Sequence, residues 1–114
     1  MLEGLFGKKK YKEISPREVK ERLDTGKKVL LIDVRTPEEY TEAHIPKSIS
    51  LPLNIVESGI SKITNDKDAE LIVYCLSGRR ASAACSQLAA MGYLNVNNMG
   101  GIQSWQYQTV SGHR

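Results

Sequence analysis

The sequence predicts an α/β fold in which a mostly parallel sheet is covered by helices on both faces. Short apolar runs rich in β-branched residues alternate with segments that have helical spacing and helix-capping residues. Such alternation is typical of parallel sheets, whose strands are joined by crossover helices. The chain has 114 residues, which is the size of one domain with its own core.

The first strand and the first helix are predicted close to the start of the chain. The stretch KYKEI (10–14) is a short strand candidate. Ser15 then caps a helix that runs to about Asp24, with Pro16 at its first position and Glu18 completing a capping box.

Two further strands enclose a second capped helix. The run VLLIDV (29–34) predicts a buried strand, and SISL (48–51) predicts a brief one. Between them, Thr36 caps a short helix over 36–43 that has Pro37 at its first position and two glutamates complementing its dipole.

The second half of the chain continues the alternation. The elements predicted there are, in order, a helix within 52–62, a strand over 71–75, a helix over 80–91, a strand over 95–99 and a helix over 100–108 that begins near Gly101. The helix over 80–91 ends before Gly92, which stands where a C′ glycine stops a helix.

A cysteine stands where the strand over 71–75 meets the next helix. Cys75 is followed at once by Leu76, Ser77 and Gly78, then by Arg79 and Arg80, so only a tight loop joins strand and helix. The first N–H groups of a helix lack intrahelical partners and, with the macrodipole, favour an anion. Glycine permits the unusual backbone angle that such a loop needs. The loop is therefore predicted to be an anion-binding nucleophile site.

The same environment would activate the thiol. An ordinary cysteine with a pKa of about 8.5 is about 3% ionised at pH 7, whereas a pKa of about 6.5 makes it roughly three-quarters thiolate. Arg79 and Arg80 would add positive charge. Taken singly, a strand-end cysteine is more often structural and an arginine pair more often a solvated face. Their ordered combination with Gly78 favours the functional interpretation.

Composition limits the classes of function. Residues 1–28 carry nine Lys or Arg against five Asp or Glu, while residues 29–114 carry seven against eight. No apolar run approaches a membrane span, and the first lysines follow the apolar residues, the reverse of a secretory signal. We expect a cytoplasmic protein with a flexible basic leader (1–9) and a flexible tail (111–114). The leader has no interleaved aromatic residues, so nucleic-acid binding is not expected.

The remaining cysteine and the histidines predict no disulfide or metal site. Cys85 lies on the apolar face of its helix, which directs it into the core rather than toward Cys75. Two cysteines and two histidines (His44 and His113) show no metal-ligand spacing.

Three stretches resemble the rhodanese (thiosulfate sulfurtransferase) family: LIDVRTPEEYTEAHIPKSISLPL, VYCLSGRRASAA and GGIQSW. The resemblance covers residues 10–110 as a single-domain member and implies a five-stranded parallel sheet. It also implies that Cys75 forms a persulfide, taking a sulfane sulfur from an anion such as thiosulfate or from a persulfide donor. The acceptor would be a thiol, cyanide or a protein. No metal or organic cofactor is implied, and we expect a monomer that binds neither nucleic acid nor a membrane.

The resemblance also assigns roles residue by residue. Cys75 matches the nucleophile, and the loop that would bind the substrate comprises Leu76, Ser77, Gly78, Arg79 and Arg80. An inward hydroxyl of Ser77 would bond the sulfur, and Arg80 would close the loop. Asp33 and Arg35 match residues that brace the site, although an ordinary ion pair fits them equally.

Other positions match structural residues of the family or depart from its pattern. His44 matches a histidine with no expected acid–base role, and Trp105 is expected in the core. Ala43 and Lys47 stand where glycines are usual, and Ser48 stands where alanine is usual, which leaves the turn after the short helix open.

Three other functions are possible for such a loop. Cysteine phosphatases place five residues between cysteine and arginine, and commonly a histidine before the cysteine. Here four residues separate Cys75 from Arg80, and Tyr74 precedes the cysteine. Non-catalytic rhodanese-like interaction modules usually lack the cysteine. A thiol-redox protein would need a partner cysteine next to Cys75.

Overall fold

In the computed structural model, which describes residues 10–112, five strands form one sheet. They are β1 (Lys12–Glu13), β2 (Leu30–Asp33), β3 (Ile49–Ser50), β4 (Leu71–Cys75) and β5 (Val96–Gly101). Their order in the sheet is β1-β5-β4-β2-β3, and these strands pair in parallel throughout. The predicted α/β fold with a five-stranded parallel sheet is confirmed.

Helices connect the strands. They are α1 (Pro16–Asp24), α2 (Pro37–Glu42), α3 (Val56–Gly59), which is flanked by the 3-10 turns Leu53–Ile55 and Ile60–Lys62, and α4 (Arg79–Ala90). The predicted capping box at Ser15 is present, and the predicted cap Thr36 also forms a capping box, with Glu39. Gly92 follows the end of α4 with φ 102°, as a C′ glycine does.

The alternation of side chains along β4 separates two cores. Val73 and Cys75 pack with the α3 and α4 side, whereas Ile72 and Tyr74 pack with Val19 of α1. Successive side chains of a strand point to opposite faces of the sheet. Cys75 therefore approaches the face that α4 covers, and Tyr74 anchors the strand on the other face.

The prediction of a helix over 100–108 is wrong. β5 continues through Gly101, and only a 3-10 turn, Ile102–Ser104, follows it. Trp105 comes next in an extended conformation, buried in the α1-side core with its indole N–H donating to the Gln108 carbonyl. Because one turn separates the strand from this anchored side chain, a longer helix has no room.

The turn between α2 and β3 keeps its glycine-like shape without glycine. Lys47 has φ 74°, the left-handed conformation that most side chains avoid, while Ala43 is extended with φ −166°. Of the two positions where the family usually has glycine, Lys47 therefore carries local backbone strain and Ala43 does not.

The predicted leader, residues 1–9, lies outside the described residues, as do residues 113–114 of the predicted tail. At the near end of that tail, the Gly112 N–H donates to the Thr41 carbonyl. Across residues 10–112, no helix has both the length and the apolar character of a transmembrane span.

Candidate active site

Two strand-to-helix turns leave the same edge of the sheet. Asp33, the last residue of β2, is paired in register with Tyr74 of β4, and β4 ends one residue later, at Cys75. Ligands of open parallel sheets bind outside the carboxyl ends of the strands. The predicted site residues of both segments are therefore brought to this edge together.

The Cys75 loop folds its own backbone onto the sulfur. Cys75 is only 1% exposed, and the Gly78 N–H donates to its Sγ over 3.0 Å. Gly78 has φ 119° and stands as the N-cap of α4, so no side-chain cap covers the first N–H groups of that helix. A sulfur anion at this position faces a backbone donor and the positive end of the helix dipole.

Strand β5 holds the loop from the opposite side. A bulge shifts the register, so that Val73 faces Asn98 but Cys75 faces Gly101. A Cβ built on Gly101 would overlap the carbonyl group of Leu76 and lie 2.6 Å from the Cα of Ser77. Only glycine allows this close approach of the two backbones. The φ of Gly101 is −116°, which any residue can adopt, so the lack of space for a Cβ, and not the backbone angle, excludes other residues.

Gly101 was not predicted as a site residue. The sequence shows it in the stretch GGIQSW, where the adjacent glycines were the available signal. At the register shift that places Gly101 against the Cys75 loop, the side-chain oxygen of Asn98 accepts from the Gly100 N–H over 2.8 Å.

The two arginines of the loop have different surroundings. Arg79 is exposed. The guanidinium of Arg80 donates to both carboxylate oxygens of Glu39, over 2.8 and 3.1 Å. The hydrogen bonds from Arg80 lower the pKa of Glu39 from its ordinary 4.5 to about 2. Burial acts in the opposite direction, and hydrogen bonds with Thr36 lower the pKa further. Glu39 is a second residue whose part in the site was not predicted, since its only predicted role was to complement the dipole of α2.

Asp33 and Arg35 form a buried ion pair. The Arg35 guanidinium donates to both Asp33 oxygens, the shortest contact being 2.7 Å, and also to the Ala43 carbonyl over 2.6 Å. Burial would lower the pKa of Arg35, but the bonds and charge of Asp33 outweigh it and raise the value. The pair thus joins the end of β2 to the turn after α2.

Tyr74 extends the same support beneath Cys75. Its hydroxyl accepts from the Ile45 N–H over 3.1 Å and hydrogen-bonds the Ser48 hydroxyl over 3.0 Å. Burial raises its pKa, so the hydroxyl stays neutral. His44, next to this turn, is buried, with its ring stacked on Tyr40 at 3.6 Å and Nδ1 2.7 Å from the Tyr40 carbonyl. These are the surroundings of a structural histidine.

Two other residues of the loop are exposed. Ser77 is exposed, and Leu76 is 38% exposed. The hydrogen bond found at Sγ comes from Gly78, so a bond from the Ser77 hydroxyl stays a prediction.

Cys85 lies in the core below the loop. Both cysteines are free thiols, and Cys85 is fully buried, as predicted. Burial, with a smaller contribution from the charge of Cys75, raises the pKa of Cys85 to about 12. Within residues 10–112, no group of three or more His, Cys, Asp or Glu side chains is placed to hold a metal ion.

An open cleft of about 350 Å³ lies beside the loop. Arg80 and Gln87 line it from α4, and Leu53 and Asn54 line it from the segment after β3. It gives a small molecule or a peptide segment a place next to the Cys75 loop.

Comparison with known proteins agrees with this geometry. The family model of the Rhodanese-like domain matches residues 15–108. A protein named Sulfurtransferase from Allochromatium vinosum is 38% identical over 94 residues, covering 82% of this chain and 86% of that protein. Thiosulfate sulfurtransferase PspE from Escherichia coli is 38% identical over 81 residues, covering 71% and 78%.

Solved structures show the same similarity. A structure described as a rhodanese with anions from E. coli has a TM-score of 0.69 and 37% identity, and the match covers 73% of this chain and 98% of that one.

Proposed function

Because the chain belongs to the rhodanese-like domain family, we propose that it is a sulfurtransferase that carries sulfur as a persulfide on Cys75. The observation that carries the proposal is the hydrogen bond of 3.0 Å from the Gly78 N–H to Cys75 Sγ, at an uncapped helix N-terminus. Relatives of similar length that are named sulfurtransferases support it.

The first half-reaction loads the cysteine. The Cys75 thiolate attacks the outer sulfur of thiosulfate, a new S–S bond forms, and the old S–S bond breaks with its electron pair leaving on sulfite. Another persulfide can serve as donor in the same way, with its thiolate as the leaving group. The loop N–H groups stabilise the thiolate before attack and the terminal sulfur anion after it.

The second half-reaction discharges the sulfur. A nucleophile such as cyanide, a thiolate or a protein thiol attacks the outer sulfur, and the Cys75 thiolate leaves. Both steps are displacements at sulfur in which electrons balance between the two substrates, so no metal or organic cofactor takes part. The positive helix end lowers the barrier because it stabilises the leaving thiolate.

The alternatives fit less well. In cysteine phosphatases the arginine that closes the loop binds the phosphate, whereas the guanidinium of Arg80, which closes this loop, is bound to Glu39. A redox function needs a reactive second thiol, whereas Cys85 is buried with a pKa of about 12. A non-catalytic module would not need a sulfur held at a helix N-terminus.

The replacement Cys75→Ser tests the proposal. After incubation with thiosulfate, the wild-type protein and the control Cys85→Ala should each gain the mass of one sulfur atom, and Cys75→Ser should not. Thiosulfate:cyanide transfer should be lost in Cys75→Ser at an unchanged Tm, because the substitution is nearly isosteric. Wild-type turnover in Cys75→Ser would exclude Cys75 as the sulfur carrier.

A further inference from the structure

We propose that Glu39 is a positioning residue of this site: it clamps Arg80 to α2 and neutralises its charge, so that Arg80 closes the loop while Arg79 and the backbone N–H groups attract the anionic donor. The inference rests on the proposed function for the identity of that donor. Glu39 belongs to a different strand-to-helix turn from the cysteine, 41 residues from Arg80 along the chain.

The contact has the geometry of a strong ion pair. Nη1 and Nη2 of Arg80 each meet one carboxylate oxygen of Glu39, at 2.8 and 3.1 Å. Two parallel bonds between a guanidinium and a carboxylate fix direction as well as distance. Both side chains are only about one-third exposed, at 33% and 28%, so solvent screens the pair incompletely.

Thr36 holds Glu39 in place independently of Arg80. Its Oε1 accepts from the Thr36 N–H over 2.9 Å, and its own N–H donates to the Thr36 hydroxyl over 3.1 Å. Thr36 directly follows Arg35, which is bound to Asp33 at the end of β2. The carboxylate is therefore a preorganised anchor, and its bond to Arg80 ties the start of α4 to the neighbouring turn.

The pair also decides how much positive field reaches the sulfur. The pKa of Arg80 is raised mainly by its bond to Glu39, and the charge of Cys75 adds to this, so Arg80 and the sulfur are within electrostatic reach. Glu39 offsets that charge. Two further charged groups at this edge are the exposed Arg79 and the Asp33–Arg35 ion pair.

In the core below the loop, Cys85 stays a neutral thiol, and the charge of Glu13 acts on Cys85. The charges that act on Arg80 are those of Glu39, Cys75 and Arg35. A change at Glu39 should therefore alter the reactivity of Cys75 through Arg80.

The replacement Glu39→Gln isolates this role, and Glu38→Gln is its matched control. A glutamine at the third helical position still completes a capping box, so the start of α2 is preserved while the ion pair is lost. Glu38 is an exposed carboxylate one residue earlier in the same helical turn. Both variants remove one negative charge, and only one releases Arg80.

Two readouts are measured on the full chain. In Glu39→Gln, the freed charge should move the midpoint of the pH dependence of Cys75 alkylation by iodoacetamide downward and lower the KM for thiosulfate about three- to tenfold. Its kcat should fall, because the loop loses its clamp. Glu38→Gln should change neither the midpoint nor kcat measurably. A purely structural Glu39 would lower kcat without lowering the midpoint or KM.

The double variant Glu39→Gln/Arg80→Gln separates the two charges. Removing both should return the alkylation midpoint and the KM to near wild-type values, while kcat stays low. The proposal is overturned if the double variant keeps the low midpoint of Glu39→Gln, or if Glu38→Gln shifts it as far. Alkylation needs neither sulfur donor nor acceptor, so it tests Glu39 even if the chain transfers no sulfur.

Discussion

The turn from β2 into α2 and the turn from β4 into α4 lie side by side at one sheet edge, but they treat the following helix in opposite ways. At α2, Thr36 and Glu39 satisfy each other's backbone groups, and Pro37 brings no N–H to satisfy. At α4, Gly78 offers no cap and turns its own N–H toward Cys75 Sγ. The start of α2 is thus capped by side chains within its own turn, whereas the start of α4 has no side-chain cap and can receive an anion.

The charges follow the same division. The first turn of α2 carries Glu38 and Glu39, which stabilise a helix N-terminus. The first turn of α4 carries no acidic residue and begins with Arg79 and Arg80, of which, within residues 10–112, only Arg80 is paired with a carboxylate, that of Glu39. Positive charge at the positive end of a helix dipole is unfavourable for the helix. The N-terminus of α4 is thus less stable than that of α2 unless an anion binds there. Local destabilisation that a ligand relieves is characteristic of functional sites.

The largest expected effect comes from crowding the open turn. Gly101→Ala should lower kcat/KM for sulfur transfer on the order of a hundredfold, because the new methyl group overlaps Leu76 and displaces the loop. Gly26→Ala is the control, since no atom lies within 4 Å of its new Cβ and its positive φ costs only about 1 kcal/mol of strain. Steady-state kinetics of both variants measure the difference; equal losses would mean that the contact at Gly101 is unimportant.

A smaller effect should follow from removing the exposed arginine of that turn. Arg79→Ala should raise the KM for thiosulfate about three- to tenfold with little change in kcat, because long-range attraction guides the donor. The increase should shrink as salt screens the field. Kinetics at low and high ionic strength test this, and a KM increase that is independent of salt would instead indicate a direct contact.

The smallest effect on transfer is expected at the closed turn. Thr36→Ala removes a cap and should lower the free energy of unfolding by about 1 kcal/mol. Sulfur transfer should stay near the wild-type level as long as Glu39 keeps Arg80. Thermal unfolding and turnover, measured on the same preparation, compare the two turns directly; a loss of turnover larger than the loss of stability would show that they are coupled.

The sequence predicts the framework well where local chemistry decides it. The predicted caps Ser15 and Thr36 stand at the starts of α1 and α2, and Gly92 stands just past the end of α4. Prediction fails where tertiary contacts decide. The helix expected near Gly101 is replaced by a continued strand, because pairing with β4 and the burial of Trp105 outweigh local helical spacing.

The candidate site divides in the same way. The position of Cys75 at the end of its strand and the positive φ of Gly78 follow from the order of residues in one short stretch. The partner of Arg80 does not, since Glu39 lies in another turn and many acidic residues could have served. The contact of Gly101 with the loop depends on a bulge that local sequence does not specify.

The burial of Cys85 has a consequence for how long a loaded sulfur would last. Because burial raises the pKa of Cys85 to about 12, its thiol stays protonated at neutral pH. Besides transfer to an acceptor, a persulfide can be lost when a nearby thiolate attacks its inner sulfur, forming a disulfide and expelling hydrosulfide. Cys85 is therefore not such an attacker, and the proposed persulfide on Cys75 would persist until a nucleophile from outside the chain reaches it.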